Sequence, residues 1–205
     1  MARVLGHLRE TGEFPSDFKS NEHLRSEYEC NLTDAQRGEW SGRFHALRQV
    51  AVEGGTVPSV TIMLVEGFLL YYSAQVRRLI DIPLFLRVSR AEMDARRKSR
   101  SNYVLEDGTV WEDPPFYFDE IVWPAYVEAH DGLFSGNVES GVPADASASD
   151  AERDGAPVDG LVLFDGCGRA GAENVVVVPK VDRSGRELAL AVCGVLLARM
   201  TPVAP

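Results

Sequence analysis

Apolar residues along this chain recur at two spacings, one suited to helices and one to strands. Residues 1–12 carry Val4, Leu5 and Leu8 at helical spacing and stop at Gly12, which predicts a short helix. GEFPSDFKSNE then reads as a loop. Thr33-Asp-Ala-Gln36 has the form of a capping box, opening a helix whose Trp40, Phe44, Leu47 and Ala51 share one apolar face before GGTVP ends it. The run VTIMLVE (60–66) predicts a buried strand that delivers Glu66 and Gly67 at its end. Residues 72–80 predict a short helix and PLFLRV (83–88) a second buried strand. Ser89-Arg-Ala-Glu92 is another capping box, and it starts a basic helix over 90–102. Asp107-Gly108 and Asp113-Pro-Pro115 mark a turn-rich segment. A third helical stretch around 119–131 is bent or begun at Pro124. GLVLFDG (160–166) and VVVVP (175–179) are strand-like, and Ser184-Gly-Arg-Glu187 caps a last helix running to about Arg199. Strands alternating with helices predict an α/β fold with a mostly parallel sheet, in a single domain over 1–205.

One segment breaks the pattern. Residues 135–159, SGNVESGVPADASASDAERDGAPVD, hold no aromatic residue, six acids and one arginine. That composition predicts a disordered insertion, because little apolar surface is available to offset the entropy of ordering it.

Composition narrows the class. The chain has 205 residues, 45% hydrophobic and 25% charged, as in a soluble globular domain with room for a core. Its apolar runs are too short and too interrupted to span a membrane, and MARVLGHLRETGEFPSDF lacks the apolar core of a secretory signal. The cytoplasm is the default location, with the nucleus the other compartment allowed. Cys30, Cys167 and Cys193 are odd in number and far apart, and His7, His23, His45 and His130 form no metal-spaced pair, so structural or surface roles are expected for all seven. A net charge of −10 argues against a nucleic-acid binder. Yet eight of the 21 Lys and Arg residues lie between Arg77 and Arg100, a local basic site suited to a small anion.

Two nucleotide-binding patterns can be tested by eye. Gly166-Cys-Gly168-Arg-Ala-Gly171 matches GxGxxG after a strand, but the motif must open a helix that receives a pyrophosphate. Here AENVVVVP follows, which is strand-like, so a hairpin or turn is expected instead. A Walker A loop needs glycine then lysine then Ser or Thr. Lys19 follows Phe18, Lys98 follows Arg97 and Lys180 is followed by Val181, so the loop does not occur in these 205 residues.

Parts of a phosphoryl-transfer site are nonetheless present. Glu66 at a strand end can hold a magnesium-bound water, as acids do at Walker B positions, or can be a solvated strand-end acid; spacing leaves both readings open. Arg96, Arg97 and Arg100 lie three and four apart on one helical face, with Tyr103 just beyond. They can clamp phosphates or form a solvated basic face, and charge pattern favours the second.

Three motifs together carry a family resemblance. VEGFLLYY, then LFLRVSRAEMDARRKSRSNYV, then WEDPPFYFDEIVWPAYVEAH resembles nicotinamide riboside kinase, of the uridine kinase-like group of P-loop kinases. The likeness is close over 60–134 and looser in the final strand and helix; RETGEFP in the opening helix also fits. It implies a three-layer P-loop kinase-like fold and transfer of the ATP γ-phosphoryl group to the 5′-hydroxyl of nicotinamide riboside, a step of NAD biosynthesis. It places Glu66 beside Mg2+ through a water, Arg96 and Arg100 on a lid over ATP, and Asp165 and Gly166 in a turn near the adenine. Arg97 and Tyr103 fall near the nucleoside, Tyr103 one residue further on than the family spacing. The implied partner is a small nucleoside, with neither nucleic acid nor membrane; no protein partner is indicated.

The same resemblance implies that the family's first strand, phosphate loop, second strand and catalytic aspartate lie before Met1, on the order of 50 residues. Two expectations follow. Either the chain belongs to a riboside kinase that starts further upstream, or it is an N-terminally truncated, non-catalytic remnant that acts by binding protein. In both cases the 205 residues alone are expected to be inactive.

Overall fold

The structure, a computed structural model, describes residues 1–19, 32–53, 62–99, 103–104, 110–145, 154–158, 161–165, 175–177 and 186–200. The chain divides into two compact units, one of Met1–Phe68, Leu79–Ile82 and Val181–Pro205, the other of Leu69–Arg78 and Pro83–Lys180.

The first unit is helical. Helix α1 (Ala2–Thr11) buries Leu5 and Leu8 and ends at Gly12, whose φ of 75° suits a residue without Cβ. Its amide donates to the Leu8 carbonyl at 2.8 Å, closing the last turn. Beyond it, Arg3 grips Asp17 with two bonds of 3.1 and 2.8 Å, Phe14 stacks on Phe18 at 4.6 Å, and Arg9 reaches Asp81 at 2.8 Å. The bond from Arg3 holds the Asp17 carboxyl below its usual range.

Helix α2 (Asp34–Glu53) starts with the expected reciprocal box. The Gln36 amide donates to Thr33 Oγ1 at 3.2 Å, and the Thr33 amide donates to Gln36 Oε1 at 3.0 Å. On its apolar face Trp40 lies 6.4 Å from Phe44, and the α2 helix packs on the final helix, here α6 (Arg186–Met200). Gly194 of α6 faces Trp40; a Cβ there would sit 3.7 Å from the indole.

The run expected to be a buried strand is different. Residues 62–66 are extended but join no sheet, and Ile62, Leu64 and Phe68 are 52%, 81% and 75% exposed. Residues 60–61 lie outside the described residues. Apolar sequence supplies a face to bury, but a strand also requires a neighbour for its backbone groups.

The second unit is built on a parallel sheet. Strand β1 (Leu84–Arg87) follows the short helix α3 (Ala74–Arg77) and pairs in parallel with β6 (Val162–Asp165), which pairs in parallel with β7 (Val175–Val177). Phe85 aligns with Leu163 and Arg87 with Asp165. As the middle strand, β6 is buried at all four residues, which is why it reads as an uninterrupted apolar run. Edge strand β1 alternates instead: Phe85 and Arg87 are buried and Leu86 is exposed. Tyr71 braces that edge. Its hydroxyl donates to the Leu84 carbonyl at 2.7 Å and accepts from the Leu84 amide at 2.8 Å, and burial raises its pKa above the ordinary value. The parallel β6–β7 pairing rules out a hairpin between them, correcting that expectation for 166–174; those residues lie outside the described ones.

Helix α4 (Arg90–Ser99) has Ser89 as its cap, with the Glu92 amide donating to Ser89 Oγ at 3.2 Å. A small antiparallel pair follows, β2 (Tyr103–Val104) against β3 (Val110–Trp111). The third helical stretch begins as a wide π-type turn, Phe118–Val122, and becomes α5 (Trp123–His130). Pro124 sits in the first turn of α5, where its missing amide donor costs little. His130 and Phe134 pack edge-on to Phe85, at 5.5 and 5.3 Å.

Within the segment expected to be disordered, the described residues are packed. Strands β4 (Phe134–Ser135) and β5 (Val142–Pro143) pair around a turn in which the Asn137 side chain accepts from the amides of Glu139 and Ser140. Val138, Gly141, Ala156 and Val158 are buried. A mean composition over 25 residues hides these few positions; residues 146–153 lie outside the described set.

Candidate functional site

The basic helix α4 presents its arginines in two directions. Arg97 donates through Nε and Nη2 to the two carboxylate oxygens of Asp113, the Nη2 bond measuring 3.0 Å, and its guanidinium lies 5.6 Å from the centre of the Tyr117 ring. Both side chains are about a quarter exposed (27% and 25%). Two helical turns earlier, Arg90 meets Asp119 at 2.5 Å and lies over Trp123 at 5.4 Å. Arg96 instead bonds Glu92 on its own helix at 2.6 Å. The three arginines expected on one face are thus divided between Arg97, turned to the 113–123 segment, and Arg96. Arg100 lies outside the described residues.

Beside α4 is an open groove of about 430 Å³, lined by Ser89, Arg90, Asp94, Phe118, Asp119 and Glu139. Asp94 Oδ2 accepts from Lys98 at 2.6 Å, which raises the Lys98 pKa, while Oδ1 is buried without a hydrogen-bond partner.

At the carboxyl ends of β1 and β6, Arg87 and Asp165 form an enclosed ion pair, 2.7 Å apart and 3% and 0% exposed. Arg87 also donates to the Gly141 carbonyl at 2.6 Å and lies 5.6 Å from the Phe134 ring centre. Gly141 is required where it sits, since a Cβ would fall 2.6 Å from two backbone oxygens. The Asp165 side chain, expected to contribute to the adenine site, is therefore engaged by Arg87 and closed to solvent. Gly166 lies outside the described residues.

Glu66 belongs to the first unit and is exposed, on the extended segment rather than at a strand end. Tyr103 has its main chain in β2 opposite Trp111. Among the described residues no group of three or more His, Cys, Asp or Glu is gathered to hold a metal ion, and no helix is long and apolar enough to cross a membrane.

Arg87, Arg90, Asp113 and Asp119 are site residues that the sequence did not single out. A usable signal existed for Arg87 alone: an arginine on the inward-facing register of a buried strand needs an acid opposite it. The acids facing Arg90 and Arg97 are 29 and 16 positions away and follow no local spacing.

No family model and no solved structure matches the chain. Among curated proteins it is 33% identical over 132 residues to the nicotinamide riboside kinase of Eremothecium gossypii, covering 64% of this chain and 50% of that protein. It is 29% identical over 132 residues to the Schizosaccharomyces pombe enzyme of the same name, covering 63% and 52% respectively. With the Saccharomyces cerevisiae nicotinamide riboside kinase it shares 34% identity over 79 residues, 38% of this chain and 32% of that protein. The chain spans about half the length of the first two curated relatives it matches. The resemblance carried by the EGFLL, RRxxR and YFDxxVWPxY motifs is thereby shown as a sequence relationship to nicotinamide riboside kinases.

Proposed function

We propose that this chain carries the arginine-helix part of a nicotinamide riboside kinase, which transfers the ATP γ-phosphoryl group to the riboside 5′-hydroxyl and so forms nicotinamide mononucleotide. The observation that carries this reading is the similarity to three curated proteins of that name, in a chain that also holds the three motifs. The described residues fit a phosphate-bearing nucleotide in part. Helix α4 supplies guanidinium groups, and Arg96, turned away from Asp113, is suited to steady charge on phosphate oxygens. Magnesium bound to nucleotide phosphates keeps several waters and needs one or two carboxylates, so a lone acid such as Glu66 suffices as an outer contact through water. When bound, ATP supplies the phosphoryl group and its magnesium supplies charge neutralisation.

The 205 residues contain no Walker A loop, and a helix of arginines does not replace a backbone cradle. On this reading they do not turn over alone, and the cradle and the general base are supplied by chain outside them. The test has two parts. The intact mass of the native protein is compared with 22.5 kDa, and riboside phosphorylation is assayed in both the native protein and the 205-residue chain. A heavier native protein that phosphorylates the riboside, beside an inactive 205-residue chain, is expected. A native mass of 22.5 kDa with no kinase activity would favour the alternative, a non-catalytic binding remnant, to which the exposed Ile62, Leu64 and Phe68 lend some support.

A further inference from the structure

Helix α4 is held from one side by two ion pairs. Arg90 and Arg97 are seven residues apart and so point the same way, and both find an aspartate and an aromatic ring on the 113–123 segment. Arg96 is rotated by about 100° from Arg97, and its printed bond runs along the helix to Glu92. The Arg97 pair is the more enclosed of the two clasps, and its two parallel bonds fix the guanidinium plane as a single bond cannot.

We propose that Asp113 is a positioning residue, which occupies the Nε–Nη2 edge of Arg97, pins α4 on the 113–123 segment and so directs the Arg96 side of the helix at nucleotide phosphates. Arg97 then serves to dock the helix, in place of the contact with the nucleoside that the family resemblance implies. A ligand reaching that edge of Arg97 would have to displace a carboxylate already bonded through both oxygens. The inference rests on the kinase reading, because it takes phosphate as what the outward side of α4 meets.

Electrostatics and positioning give opposite signs in one experiment. The 205-residue chain is titrated at low salt with inorganic tripolyphosphate, following backbone amide shifts of residues 90–99. Removing an acid beside a basic helix should tighten polyanion binding if charge alone matters. If Asp113 positions the helix, Asp113→Asn weakens binding by roughly threefold or more, in keeping with a modest, partly exposed pair. The exchanged pair Arg97→Asp with Asp113→Arg keeps both net charge and clasp, and is expected to restore the original affinity; Arg96→Ala is expected to reduce it. Slow hydrogen exchange in β6 serves as the fold control, with Asp113→Glu, expected to bind nearly as the original does, taking the place of any variant that loses it. Unchanged or tighter binding by Asp113→Asn overturns the positioning role and leaves the kinase reading standing. An exchanged pair that fails to restore binding means that Arg97 meets the anion itself, which also overturns it. No response of α4 to tripolyphosphate in the original chain defeats the phosphate-facing reading and this proposal together.

Discussion

Residues 62–66 and 161–165 are both apolar runs closed by a carboxylate, and they end in opposite conditions. Leu64 is 81% exposed in an extended segment without a strand partner, whereas Leu163 is fully buried between β1 and β7. Glu66 meets solvent; Asp165 meets Arg87 at 2.7 Å with both side chains enclosed. The difference lies in the neighbours. A strand of four residues gains little from its own sequence until adjacent strands take up its amides and carbonyls and a covering layer takes up its side chains.

The largest effect that could break this comparison is at the buried pair. Asp165→Ala leaves the Arg87 guanidinium enclosed beside Gly141 without its acid, and is expected to cost about 3–5 kcal/mol in denaturant unfolding of the second unit. Replacing both residues with apolar side chains of similar volume is expected to cost far less, since no uncompensated charge remains. A small loss for Asp165→Ala alone would mean that water reaches the pair.

Next come the two leucines. Leu163→Ala is expected to cost about 2–5 kcal/mol, the range for a core truncation. Leu64→Ala is expected to stay within about 0.5 kcal/mol, as for an exposed site. Equal losses, read from the same unfolding curves, would show that 62–66 is covered in solution and would erase the contrast.

Tyr71 gives the smallest and sharpest of these effects. Tyr71→Phe strips β1 of the hydroxyl that serves both backbone groups of Leu84, at a cost of about 1–3 kcal/mol. The pH dependence follows from the raised pKa. Below the ordinary phenol value of about 10, folded and unfolded states both keep the proton and the contribution is whole. As pH rises past that value the unfolded state loses its proton first, so stability declines toward the higher folded pKa. The decline should be smaller in Tyr71→Phe; an identical pH profile in the two proteins would place the hydroxyl in water.

Much of the fold was legible because its signals are local. A capping box specifies both of its members within four residues, and those of Thr33–Gln36 and Ser89–Glu92 form where the spacing puts them. Gly12 ends α1 for a similarly local reason. The arginine helix was legible too, but the direction of each arginine was not. Arg96 and Arg97 are neighbours in sequence, and only an acid 16 residues further on distinguishes them. For the same reason Asp165 read as a ligand-side residue: β1 supplies the arginine that claims it, 78 positions earlier.

The sequence by itself determined where helices begin and stop, the parallel α/β character of the second unit, and the kinship with nicotinamide riboside kinases. Each rests on contacts within a turn or two of helix, or on motifs read residue by residue. Tertiary structure alone decided which apolar run became a strand, that β7 runs parallel to β6, and which carboxylate each arginine meets. Those outcomes depend on groups distant in the chain competing for the same backbone amide or the same charge, and a local pattern carries no record of who wins.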